Sequence, residues 1–75
     1  MLDRVKDVLA NYTTVSKRKM TLETRLIGDL GMTSFDLVNA VVAFEDEFDI
    51  EISDDQIKDI QTIGDIINEL EKQGI

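Results

Sequence analysis

The sequence predicts an all-α fold: a four-helix bundle of three longer helices and one short third helix, with a long loop between helices one and two. Three observations predict it. Apolar residues recur at helical spacing in three separate stretches. Capping-box patterns stand before two of the expected helices. β-branched residues are frequent, but the chain has no proline and no turn signals that would divide them into strands. At 75 residues the chain reads as one domain, residues 1–75.

Leu2, Val5, Val8, Leu9 and Tyr12 form the stripe of an amphipathic first helix, expected to stop near Asn11–Thr13. Asp3 near its start suits the helix macrodipole. From Thr13 to Thr33 no period is sustained. A loop of that length tends to be functional or to contain short turns. Its basic cluster Lys17-Arg18-Lys19 reads as solvated loop, and in the run Leu22, Leu26, Ile27 and Leu30 the spaced leucines read as pinning it over the core.

The second helix is expected to begin at Thr33 or Ser34, because Thr33-Ser34-Phe35-Asp36 has capping-box spacing with Asp in place of the usual Glu or Gln. Leu37, Val38, Val41, Phe44 and Phe48 supply its expected core stripe, and it should end near Asp49. Ile50-Glu51-Ile52 is an alternating linker. Ser53 or Asp54 can cap a short third helix carrying Ile57 and Ile60. Thr62-Ile63-Gly64-Asp65 opens the fourth, with Ile63, Ile66, Ile67 and Leu70 on one face and Gly74 placed to end it.

Composition narrows the chemistry. The chain has no histidine and no cysteine, so neither a Ser-His-Asp triad nor a Cys-His pair can form, and a His/Cys zinc site is excluded. Asp46-x-x-Asp49-x-Glu51 lacks the oxygen-ligand ladder and central glycine of a calcium loop, and no glycine-rich phosphate loop is present. The expectation is a carrying or binding module with no enzymatic activity and no metal. No apolar run reaches the ~18–20 residues that span a bilayer, and the start of the chain lacks a signal peptide's apolar core, so a cytoplasmic protein is expected.

Net charge is −8 and unevenly placed. Residues 1–25 hold six bases and three acids, whereas residues 26–75 hold two bases and thirteen acids. Seven acids and no base lie between Glu45 and Asp55. Such a field repels nucleic acid and anionic membranes and attracts basic protein surfaces.

Ser34 stands at the start of the second helix, where free backbone N–H groups favour a phosphate. Periodicity alone leaves two readings open. Ser34 is itself the N-cap, or Thr33 caps and leaves Ser34 free. The segment Asp29-Leu30-Gly31-Met32-Thr33-Ser34-Phe35-Asp36-Leu37-Val38 resembles the phosphopantetheine attachment segment of the acyl carrier protein family, whose pattern is Asp-Leu-Gly, one variable residue, then Asp-Ser-Leu opening a helix. The resemblance continues through Phe44–Ile52 and Ile60–Asp65 and covers the whole chain in register.

It implies that Ser34 accepts 4′-phosphopantetheine from coenzyme A, delivered by a phosphopantetheinyl transferase that supplies the base. The arm brings the thiol that this sequence lacks, and acyl intermediates ride on it as thioesters. The implied setting is fatty acid biosynthesis, with acyl-transferring and condensing enzymes as partners and the carrier itself a monomer. Thr33, Phe35 and Asn39 stand where the family usually has Asp, Leu and often Glu. These departures leave the hydroxyl in place but keep open a dedicated carrier for a polyketide, peptide-synthetase or aminoacyl pathway such as D-alanine. A separate alternative is a non-carrying acidic interaction module in which Ser34 is only a cap and the acidic face binds one basic partner.

Phe35, Asn39, Val42 and Asp46 fall on one column of the second helix, roughly opposite Leu37, Phe44 and Phe48. With Asp36, Glu45 and Glu47 around it, this column is the expected grip for basic docking patches. Such contacts favour fast, salt-sensitive association.

Overall fold

The computed structural model describes residues 1–75 and contains four α-helices: α1 Leu2–Leu9, α2 Ser34–Phe48, α3 Asp54–Lys58 and α4 Ile63–Lys72. α1 ends earlier than its apolar stripe suggests. The N–H groups of Asn11 and Tyr12 bond three residues back, to Val8 and Leu9, so the chain tightens out of the α-helix while Tyr12 still packs on the core. α1 runs antiparallel to α2. Arg4, early in α1, bonds Glu47 near the end of α2, and the Tyr12 hydroxyl donates to the Asn39 carbonyl at 3.4 Å, nearer the start of α2.

Three helices begin on matching local chemistry. Thr33, Ser53 and Thr62 each accept a bond from the N–H three residues on, and Asp36, Gln56 and Asp65 each accept one from the cap residue's own N–H. α2 ends at Asp49, a non-glycine residue in the left-handed region at φ 54°. The N–H groups of Asp49 and Ile50 return to the Glu45 carbonyl. α4 ends in a Schellman turn: Gly74 at φ 86° donates to Glu71 and Ile75 to Leu70, which satisfies two of the last carbonyls.

The core is one cluster centred on Val5 and Leu9 of α1, Ala40, Val41, Phe44 and Phe48 of α2, and Ile63, Ile66 and Leu70 of α4. The long loop adds Met20, Leu26, Leu30 and Met32 to it. The loop's basic cluster folds into a single 3-10 turn, Lys17–Lys19, capped by Ser16 and tied to α1 by a 2.8 Å Lys17–Asp7 ion pair. Leu22 corrects the expectation that the spaced leucines all lie on the core: it is about half exposed, as is Ile27. The loop instead completes α4. The carbonyls of Leu22 and Thr24 accept from the N–H groups of Gly64 and Ile63, and Arg25 forms an isolated antiparallel bridge with Thr62. Two first-turn donors that no helix can satisfy internally are thereby paired.

Val38 is a second correction. Expected in the core stripe, it is 49% exposed, while Ala40 takes a fully buried place on that stripe. At 100° per residue, Val38 lies about 40° from Val42 and about 60° from Phe35, well away from the direction shared by Ala40, Phe44 and Phe48.

Candidate functional site

Asp29 to Asp36 forms a tight bend that delivers Ser34 to the surface. The Asp29 carboxylate accepts the Arg25 N–H at 2.8 Å and lies 3.6 Å from the Arg25 guanidinium. The backbone bond, more than the guanidinium, holds the Asp29 carboxyl below its ordinary value of 3.8. The N–H groups of Gly31 and Met32 then return to Ile27 and Leu26. Gly31 has φ 71°, where a Cβ would cost about 1–2 kcal/mol. Met32 is buried and anchors the bend from beneath, and the Leu30 carbonyl accepts from the Thr13 hydroxyl at 2.7 Å.

The two readings of Ser34 separate here. Thr33 is the N-cap: its hydroxyl accepts the Asp36 N–H at 3.0 Å, and the Asp36 carboxylate accepts the Thr33 N–H at 3.0 Å. Ser34 is the first residue of α2 and is exposed, and its hydroxyl makes no hydrogen bond within the protein. The N–H groups of Ser34 and Phe35 have no protein acceptor either. A free hydroxyl beside two free donors at the positive end of a fifteen-residue helix suits a covalently attached phosphate.

The remaining expected contact residues divide. Phe35 is 74% exposed and Val42 49%, and Asp46 is exposed beside them. Val38 joins these residues and widens the apolar strip to Phe35, Val38 and Val42. Asn39 is half-buried, with its carbonyl facing Tyr12. Three of the acids have internal partners. Asp36 closes the capping box. Glu45 accepts the Ile52 N–H at 2.8 Å and so holds the linker after α2. Glu47 meets Arg4 at 2.8 Å on the α1 side. Sequence spacing marked the Asp36 tie but gave no sign of the other two, because their partners lie in the linker and in α1.

The fold and this site define a class: a small helical carrier that presents one serine at a helix start. Comparison with known proteins places the chain within it. Residues 3–70 match the family described as "Phosphopantetheine attachment site". The "Acyl carrier protein" of Clostridium acetobutylicum is 34% identical over 68 residues, covering 91% of this chain and 88% of that one. The chain belongs to the acyl carrier protein family. Members are carriers and not enzymes, and their cofactor is covalently attached 4′-phosphopantetheine.

Proposed function

We propose that Ser34 is the attachment residue and that the arm it bears carries acyl intermediates as thioesters in fatty acid biosynthesis. One observation carries the assignment. Thr33 and Asp36 complete the capping box between them, so Ser34 is exposed and its hydroxyl is free for chemistry. In the transfer, the Ser34 Oγ forms a bond to the pantetheine-bearing phosphorus of coenzyme A, and the pyrophosphate bond breaks. The nucleotide leaves with its remaining phosphates. The serine proton passes to a base on the transferase, since this chain has no histidine.

The docking surface is the strip of Phe35, Val38 and Val42 with Asp46 at its edge. An apolar strip rimmed by acids suits partners with basic patches: phosphopantetheinyl transferase first, then acyl-transferring and condensing enzymes. A dedicated polyketide, peptide-synthetase or aminoacyl pathway is the second reading. It is favoured by Phe35, whose bulky exposed ring stands beside Ser34, where any partner must approach.

Coenzyme A and a promiscuous phosphopantetheinyl transferase should add one arm to the wild type, read by intact mass, and none to Ser34→Ala. An arm on Thr33 or elsewhere in the variant would sink the assignment. Loading the holo-protein with fatty acyl-, malonyl- and aminoacyl-transferring enzymes in parallel separates the two pathway readings.

A further inference from the structure

The peptide that joins Leu30 to Gly31 lies just ahead of Ser34 and is held at both ends. Its N–H donates to the Ile27 carbonyl at 3.2 Å. Its carbonyl, that of Leu30, accepts the Thr13 hydroxyl at 2.7 Å, the shorter of the two bonds. No backbone N–H reaches this carbonyl, so Thr13 is its one donor in the protein. Leu30 is 5% exposed, and a carbonyl on so buried a residue is costly to leave unpaired.

The Thr13 bond also restrains a joint. Gly31 sits at φ 71° without a Cβ, which makes it the residue of the bend freest to let the peptide plane turn. A planar peptide turns as one body, so a bond to its oxygen resists the turn. Thr13 is itself well held. It is half-buried, its oxygen accepts the Val15 N–H at 3.2 Å, and the flanking Tyr12 and Val15 pack on the core. The hydroxyl thus reaches across the long loop, from its first residue to the bend where the chain leaves for α2. Met32 and Thr33 alone separate Gly31 from Ser34. A turn of the Leu30–Gly31 plane therefore shifts the seat of Met32 or the cap at Thr33, and with it the angle at which the first turn of α2 is presented.

Taking Ser34 as the attachment residue, we propose that Thr13 is a positioning residue for arm attachment. Its hydroxyl pins the Leu30–Gly31 peptide and so holds the Ser34 hydroxyl in the orientation that the transferase meets. The strip of Phe35, Val38 and Val42 forms no part of this tie. Losing the tie should slow the chemical step and leave docking unchanged.

Single-turnover attachment to the full chain tests it, with coenzyme A and increasing amounts of a promiscuous phosphopantetheinyl transferase. Thr13→Val keeps the shape and removes the hydroxyl. It should lower the plateau rate about tenfold or more, with the half-plateau transferase concentration unchanged. Thr13→Ser keeps the donor and should retain the wild-type rate. Thr13→Ala admits water to the Leu30 carbonyl and should also slow attachment; it serves in place of the valine variant if that fails to fold. In hydrogen exchange, the N–H groups of Gly31 and Met32, which bond Ile27 and Leu26, should lose protection without the hydroxyl, while Val41 and Phe44 in α2 keep theirs. Wild-type plateau rates in both hydroxyl-free variants would overturn the pin. So would a slowing that Thr13→Ser shares, or one matched by equal loss of protection at Val41 and Phe44, which would make Thr13 a support of the fold alone. An arm on Ser34→Ala would strike the attachment reading itself. The exchange of Gly31 and Met32 is read without any arm, so the two failures are told apart.

Discussion

Thr33 and Ser34 carry the same functional group one peptide apart, and backbone position alone assigns them different tasks. At Thr33 the chain is still extended, at φ −85° and ψ 169°, which aims the hydroxyl at the Asp36 N–H. At Ser34 the backbone is already helical and the hydroxyl projects outward. Thr33→Ala should therefore destabilise the fold by about 1 kcal/mol, whereas Ser34→Ala should stay within about 0.5 kcal/mol. Urea titration of the two variants side by side measures both. Equal losses would mean that the two hydroxyls share the capping. The sequence marked the box by its spacing but could not choose between the two hydroxyls, since the choice depends on ψ at one residue. Glu69 was harder still to read. A glutamate among surface-type residues on α4 gives no sign of burial until Gln56, thirteen positions earlier, is brought against it.

Among the elements, α2 shows both what periodicity reveals and where it misleads. Phe44, Phe48 and Val41 were legible as core because large apolar residues at helical spacing have few other uses. Val38 misled because valine adjoins the stripe at Leu37, and Ala40 went unnoticed because a small residue adds little to an apolar pattern. The outward strip makes a kinetic prediction. Phe35→Asp, Val38→Asp and Asp46→Lys should each slow arm attachment while the helical circular dichroism stays intact. Unchanged rates in all three would move the docking surface elsewhere. Glu47→Lys is unsuitable for this test, because it breaks the Arg4 tie and sets a lysine near the guanidinium that lies 4.4 Å from the Phe48 ring.

The start of α4 makes a prediction about acid. The Asp65 carboxylate accepts the N–H groups of Gln61 at 2.9 Å and Thr62 at 3.0 Å, and these bonds, Gln61's first, hold its carboxyl below the ordinary 3.8. A lowered value in the folded state means the contribution is complete above 3.8 and is lost as pH falls through the folded value. Asp29 behaves in the same sense. Wild-type stability should decline below that point, and Asp65→Asn should show a shallower decline from a lower starting stability. Superimposable acid limbs would remove Asp65 as a contributor.

Over the whole molecule the question is whether the acidic surface strains the fold. Five of the eight bases pair with acids: Arg4, Lys17, Arg25, Lys58 and Lys72. Their partners include Glu47 and Asp55 from the acidic segment. Glu45 meets a backbone N–H instead. That leaves Asp46, Asp49, Glu51 and Asp54 without a cation within 4 Å, a residue of repulsion that no count of charges along the sequence could isolate. Added salt screens attraction and repulsion alike. The attractive pairs are mostly exposed and each is worth about 0–1 kcal/mol, while the molecule as a whole keeps a net charge of −8, so relief of repulsion should win.

The range of screening sets where the response falls. The molecule's longest extent is 27 Å. The screening length is about 30 Å at 0.01 M salt and about 10 Å at 0.1 M, so at the lower concentration every charge feels every other. The melting temperature should therefore climb most between those two concentrations and level off above them. A gain of about 1 kcal/mol would raise it about 4–8 °C in a domain of this size. Millimolar magnesium or calcium should add to the rise without a stoichiometric break, because an ion resting between neighbouring acids needs no built site. Neutralising the four unpaired acids together, Asp46→Asn, Asp49→Asn, Glu51→Gln and Asp54→Asn, should raise the melting temperature at 0.01 M and flatten the salt curve. Thermal melts of both proteins across the salt series decide it. A wild-type curve that is flat or falls with salt would mean that the five ion pairs outweigh the repulsion. A variant that keeps the wild-type slope would place the strain outside this segment.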